Sequence, residues 1–451
     1  MKMVRRGSMV PMLFAVLLLA LKGAAFVAAE GEETCSGIVP MKRRSEVVSI
    51  ADFGGVGDGQ TVNTAAFERA VSRIEQRNVP GGTLLYIPGG VWLTGAFNLT
   101  SHMTLFLAKG AVIKATQDTS NWPLIDPLPS YGRGRELPGG RYMSLIHGNK
   151  LKDVIITGEN GTIDGQGEKW WNIWRQKTLL FTRPGLLELM HSTDIIISNV
   201  VFQNSPFWNI HPVYCSNVVV RNVTVLAPYD SPNTDGVDPD SSSNVCIEDC
   251  YMSTGDDLVA VKSGWDEYGV AYGRPSSGIT VRRITGSTPF AGFAVGSETS
   301  GGVENVLAEN LNIFKSAIGI HIKTNTGRGG FIKNITVSGV TLDNVRKGLR
   351  ITGKAGDHPD DRYDPNARPV VGGLTIKNVR GTVIQQPGTI EGIKNSPFTQ
   401  ICLSNVKLRV TGPKQMPWVC NDVSGGALEV QPSPCTELTS TNGMSFCTDA
   451  L

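Results

Sequence analysis

Short runs of β-branched and aliphatic residues, polar at alternate positions and often ending in Asn-Val, recur along the second half of the chain. Residues 194–200 read Asp194-Ile195-Ile196-Ile197-Ser198-Asn199-Val200. The pattern returns 23 positions on at Asn217, then at Asn244, Gly278, Asn305, Asn334, Gly373 and Gln400, at intervals of 27, 34, 27, 29, 39 and 27. Uniform runs at uneven intervals are the signature of stacked coils whose strands keep register while their turns vary in length. Alternation sends Val and Ile inward and leaves Asn, Arg or Lys outward or at corners. Earlier stretches at 47–50, 82–87, 91–93, 103–107 and 111–113 also read as strands, and none has helical periodicity. One amphipathic helix is predicted over 65–75, capped by Asn63 or Thr64, with Phe67, Ala70, Val71 and Ile74 as its apolar stripe. A solenoid needs a cover over its first coil, and this helix supplies one. The expectation is an all-β parallel β-helix over 47–410, preceded by a linker at 30–46 and followed by a cysteine-containing cap at 411–451.

From 117 to 150 the pattern breaks into Pro, Gly and charge, with Trp122, Tyr131, Arg133, Arg135, Arg141 and Tyr142. Long insertions in a regular solenoid are more often functional than not.

Residues 1–29 carry Lys2, Arg5 and Arg6, an apolar run at 12–21, and small residues ending Val27-Ala28-Ala29. This is the layout of a secretory signal peptide, its apolar run too short to span a bilayer comfortably. The mature chain is expected to be secreted to the extracellular space or cell wall, with no stable membrane insertion. Removing this segment takes away four basic residues and no acids, leaving 38 Lys+Arg against 40 Asp+Glu, so a formal charge of +2 becomes −2. That balance argues against a nucleic-acid binder. The eight cysteines all follow the segment and read as disulfides, with the pairing open. Cys246-x-x-x-Cys250 lacks the histidines of a zinc site. Asn98, Asn160, Asn222 and Asn334 open glycosylation sequons.

The candidate chemistry lies in Asn233-Thr234-Asp235-Gly236-Val237-Asp238 and Gly255-Asp256-Asp257. Asp235 and Asp256 are 21 positions apart, about one coil. Coils stack roughly 4.8 Å apart, so three acids crowd onto one face. Turn closure by Asx residues explains one such acid but not a facing pair. A charged neighbour roughly 5 Å away costs an ionising carboxyl about 1 to 3 kcal/mol at an effective dielectric of roughly 20 to 80. One acid is then held protonated beside an ionised one, the pairing that glycosidic hydrolysis uses.

These residues resemble the polygalacturonases, the pectin-degrading right-handed parallel β-helix hydrolases of glycoside hydrolase family 28. The resemblance runs over about 47–436, from Asp52-Phe53-Gly54 through Gly57-Asp58-Gly59 to Pro417-Trp418-Val419-Cys420 and Pro432-Ser433-Pro434-Cys435. Of the family's four signatures, Asn233-Thr234-Asp235 and Gly255-Asp256-Asp257 match. Gly-His-Gly falls on Phe290-Ala291-Gly292, and Arg-Ile-Lys on His321-Ile322-Lys323.

The resemblance implies that Asp256 protonates the leaving oxygen while Asp235 and Asp257 hold and deprotonate the attacking water, giving inversion. Lys323 would pair with a galacturonate carboxylate, and His321 stands where an Arg does the same. An unperturbed imidazole gains its charge below about pH 6.5, so His321 is expected to turn cationic in acid. Asn233 and Arg328 complete the expected substrate-binding set, with neither metal nor cofactor. The implied partner is an acidic galacturonan of pectin, bound by a monomer. Lys262 reads as a solvated surface charge. Phe290 and Phe293 flank Ala291 and would raise a nearby carboxyl's pKa by desolvation. Ala291→His is expected to raise activity on unsubstituted polygalacturonate. The insertion at 117–150, with 296–302 and 324–330, is similar to the branch that includes exo-acting enzymes. Trp170-Trp171 offers a sugar platform, although packing between coils is the commoner fate of such residues. His211 is expected buried and hydrogen-bonded. The rivals are a hydrolase of rhamnogalacturonan or xylogalacturonan, a catalytically weak pectin-binding wall protein, and a calcium-dependent lyase.

Overall fold

A computed structural model describes residues 34–41, 43–411, 416–439 and 441–449. The expected signal peptide at 1–29 lies outside the described residues. The repeats predicted from sequence become the rungs of one right-handed parallel β-helix. Ile195, Val218, Val245, Ile279, Val306, Ile335, Leu374 and Ile401, the second residue of each repeat, lie in register on one another through successive coils. All are at most 2% exposed. Each such burial is worth about 1.5–3 kcal/mol, and together they fill the bore of the solenoid.

The residue before each of these, from Asp194 through Asn217, Asn244, Gly278, Asn305, Asn334 and Gly373 to Gln400, has φ between 53° and 69°. Asn and Gly tolerate this left-handed backbone better than other residues, which explains their place at the corner. The corner side chains also bond along the stack: Asn244 Nδ2 donates to Asn217 Oδ1 at 2.9 Å, and Asn334 Nδ2 to Asn305 Oδ1 at 2.6 Å.

A second face carries the site. Its rungs are Leu187–Met190 and Ile210–Val213, single bridges through Val237 and Asp240, then Val259–Val261 and Ala291–Val295. The far ends of the long strands Val303–Lys323 and Phe331–Thr352 continue it.

The N-terminal helix spans Thr64–Arg77, longer than predicted, and buries Ala66, Phe67, Ala70, Val71 and Ile74. Asn63 precedes it without a side-chain cap. Its amide is taken by the loop instead, accepting from Val56 N–H and donating to the Val56 and Leu93 carbonyls. At the other end the solenoid passes the expected boundary at 410. Val419–Asn421 pairs with 389–391 and Val423–Gln431 with 398–407, because Val419, Val423 and Val430 renew the β-branched pattern. The insertion contains a short antiparallel pair, Leu124–Ile125 with Arg141–Tyr142.

Six of the eight cysteines pair: Cys35–Cys246, Cys402–Cys447 and Cys420–Cys435. Cys215 and Cys250 remain as buried thiols, each pushed by burial up to about 12.

Candidate active site

Asp235, Asp256 and Asp257 meet on the second face, with carboxylate oxygens within 4.8 Å of one another. Backbone hydrogen bonds fix the stacking: Asn209 N–H donates to the Asp235 carbonyl, Gly236 N–H to that of Asp257, and Leu258 N–H to that of Ala291. Asn209, Asp235, Asp257 and Ala291 therefore occupy consecutive coils. Gly255 lets the Gly-Asp-Asp turn pass beneath its neighbour, since a Cβ there would sit 2.0 Å from the Ser231 carbonyl oxygen.

The three acids differ in environment. Asp256 is 9% exposed, the most open of them. Burial, then the charges of Asp235 and Asp257, hold its pKa well above the usual carboxylate range. Asp257 is also buried, but Lys323 and other cations outweigh that and lower its pKa. Its Oδ2 accepts from Lys323 Nζ at 2.7 Å and its Oδ1 from Ala291 N–H at 2.9 Å. Asp235 is pushed up to about 6, mainly by burial, and its Oδ1 has no hydrogen-bond partner.

Asn233 lies beside them. Its Oδ1 accepts from Arg183 at 2.8 Å and its Nδ2 reaches Asp256 Oδ2 at 3.4 Å. The side chain expected to touch substrate thus also tethers the acid.

Several expectations are overturned. Lys262 is 3% exposed rather than solvated, with Nζ at 3.7 Å from Asp235, 3.5 Å from Asp238 and 3.5 Å from Glu298. Those anions outweigh its burial and raise its pKa well above the ordinary lysine value. Arg328 is fully buried, its guanidinium paired with Asp266 and donating to the Ser297 carbonyl, so it braces the loop beneath the site instead of facing a ligand. His321 is 7% exposed, and burial, then Lys323, push it down to about 3. It stays neutral where an unperturbed imidazole would have charged. Phe293 is fully buried in the core and Phe290 is half-exposed. Trp170 and Trp171 follow the commoner fate instead: both are buried in packing, Trp170 edge-on to Trp122 and Tyr142.

His211 is buried and bridges Glu188 at 2.9 Å and Asp240 at 3.3 Å. Those bonds outweigh the opposing burial and raise its pKa. Asp238 and Glu298, which were not singled out as site residues, complete the buried charge network around Lys262. Burial and Asp235 hold Asp238 well above the usual range. Lys262 and Arg135 more than offset Glu298's burial and depress it. The available signal for Lys262 was its spacing: it follows Asp240 by 22 positions, about one coil, and bridges to it on the next coil.

The sequence matches glycosyl hydrolases family 28 over residues 136–433. The chain belongs to that family. It is 52% identical over 397 residues to a "probable polygalacturonase" of Vitis vinifera, covering 88% of this chain and 81% of that one. Its fold is similar to that of an exopolygalacturonase from Thermotoga maritima, with a TM-score of 0.75 and 28% identity over 87% of this chain and 94% of the other. A polygalacturonase from Erwinia carotovora shares the fold at a TM-score of 0.66 and 22% identity, over 85% and 97% of the two chains. This family 28 member is thus a polygalacturonase-like glycoside hydrolase with a pectin-type polysaccharide as substrate class. No helix among the described residues is long and apolar enough to cross a membrane.

Proposed function

We propose that this family 28 hydrolase is secreted and cleaves α-1,4-galacturonosyl linkages of pectin by a single displacement with inversion. The observation that carries this reading is the gathering of three carboxyl groups whose surroundings drive their proton affinities apart. Asp256, held protonated, gives its proton to the glycosidic oxygen as the bond to the anomeric carbon breaks. A water between Asp235 and Asp257 attacks that carbon from the opposite face. Asp257 orients the water as a fixed anion, and Asp235, with a free oxygen and a pKa near 6, takes the proton.

Carboxyl groups about 5–5.5 Å apart usually accompany retention, and about 6.5–9.5 Å inversion. What favours inversion here is the state of Asp257. Both its oxygens are engaged, by Ala291 N–H and by Lys323, which makes it a poor nucleophile but a firm anchor for water. The proton NMR spectrum of the first-formed product decides: a β-anomer from the α-linkage supports the reading, and an α-anomer overturns it.

Lys323 is 18% exposed at its side chain and uses one of its three donors on Asp257, so it can meet a uronate carboxylate. The likeness to an exopolygalacturonase, together with the 117–150 insertion bounding a pocket beside the acids, supports action at chain ends. Secretion is supported by the 1–29 pattern and by three disulfides, which persist in oxidising compartments.

A second reading, hydrolysis of a decorated or mixed pectic backbone, is favoured by one observation: the neutral, buried His321 supplies no charge for a second carboxylate. Product analysis on polygalacturonate, rhamnogalacturonan and xylogalacturonan separates the two. An unsaturated product and loss of activity on chelation would instead indicate the lyase.

A further inference from the structure

Strand register carries the second face on beyond the acids. Ala291, Ile318, Lys347 and Gln386 lie in one row on successive coils, with Ala294, His321, Arg350 and Thr389 in the row beside it. Ala291, Ala294 and Ile318 pack with Ala260 in a cluster outside the main core, so both rows belong to the outer surface of this face. Charge changes along them. The first two coils past Asp257 present small or aliphatic side chains and the neutral His321. The third presents Lys347 and Arg350, roughly 14 Å from Asp257 at about 4.8 Å per coil.

Arg346 stands on that third coil as well, and Lys315 on the one before it. Both line a depression of about 380 Å³ together with Tyr229, Ser316 and Gln385. Ser316 ties this depression to the acids: its Oγ accepts from Thr288 N–H at 3.1 Å, and Thr288 Oγ1 donates to the Asp256 carbonyl at 2.6 Å.

The four cations are poorly compensated. Among the described residues none of them forms a salt bridge, and the one hydrogen bond from their side chains runs from Lys347 Nζ to Thr389 Oγ1 at 3.3 Å. Burial, then Arg350, hold the Lys347 pKa below the ordinary lysine value despite Glu391, whose carboxylate also lies 4.0 Å from Lys354. Lys262 and Lys323, by contrast, are held against carboxylates. Arg350 is half-buried, with every guanidinium donor free. A groove wall of one sign attracts the opposite charge, and a planar guanidinium matches a carboxylate.

We propose that Arg350, with Lys347, binds the carboxylate of a galacturonosyl residue beyond the one that meets Lys323, so that the cleft reads a run of free uronates. This inference rests on the galacturonan reading above. Arg350 is a specificity-determining residue: it supplies, one coil further on, a cation that pairs with substrate where His321 offers none.

The test measures calorimetric binding of hexagalacturonate, and of the same oligomer fully methyl-esterified, to Asp256→Asn with and without Arg350→Ala. Adding Arg350→Ala is expected to weaken hexagalacturonate about tenfold, the low end for a charge-assisted hydrogen bond at a half-exposed site, and to leave the ester unchanged. Arg350→Lys, which keeps the charge and the stem, should lie between. Equal hexagalacturonate affinity with and without Arg350→Ala overturns the proposal, as does an equal loss for acid and ester, which marks a packing role. In turnover, Arg350→Ala alone should raise KM for hexagalacturonate while kcat holds, and a fall in kcat at unchanged KM also overturns it. If the wild type cleaves no galacturonan but the Arg350-dependent affinity is present, the hydrolase reading falls and the uronate site stands.

Discussion

Lys323 Nζ sits 2.7 Å from Asp257 Oδ2, reaching back from two coils further along the stack. That contact keeps Asp257 ionised, and an ionised Asp257 is one of the charges that keeps its neighbour Asp256 protonated. Lys323→Gln should therefore shift both. Asp257 will protonate at higher pH, and the acid limb of the kcat/KM profile should move upward. An unmoved acid limb would show that Lys323 serves substrate binding alone.

Asp256→Asn should lower turnover by about 10²–10⁴-fold, the usual contribution of a general acid, while galacturonate oligomers still bind. Reducing-sugar release and calorimetric binding check the two halves. Turnover equal to wild type would remove Asp256 as the proton donor.

Lys262 compensates Asp235, Asp238 and Glu298 in a nearly water-free network. Lys262→Met leaves those carboxyl groups without their shared cation, and breaking a buried ion pair from one side costs about 3–5 kcal/mol. Thermal unfolding at neutral pH should show a clear fall in Tm. A surface lysine would show none.

His321 makes the fold acid-sensitive. Its pKa falls from 6.5 to about 3 on folding, so the unfolded state binds the extra proton first, and stability is lost as pH drops from 6.5 towards 3. Over that window the slope should be about 1.4 kcal/mol per pH unit from this group. His321→Asn should flatten the stability–pH curve by that amount. Denaturant midpoints measured at several pH values would reveal an unchanged slope if the imidazole charges freely in the fold.

Ala291 is fully buried among Ala260, Ala294 and Ile318, and its N–H donates to Asp257. This packing argues against the gain of activity expected from the motif alone. Ala291→His must now overfill a closed cluster, at about 1–3 kcal/mol, and should lower Tm without raising activity on polygalacturonate. A gain in activity with Tm unchanged would mean the cluster has room for an imidazole.

The stack of coils was legible because it repeats. Ile195 to Ile401 fall in register as their sequence repeats do, and the Asn and Gly before them mark the left-handed corners. The motif acids were legible as well, since one coil of chain separates Asp235 from Asp256, and coil stacking converts that separation into proximity. Charge was not legible. Whether Lys262 meets water or three carboxyl groups, whether Arg328 faces the cleft or Asp266, and whether His321 titrates near 6.5 or near 3 all depend on what the neighbouring coils place beside them. Periodicity along the chain dictates which face a residue occupies. The free energy of an ion is set by the solvent and counter-charges that distant segments place around it, and only the assembled solenoid decides those.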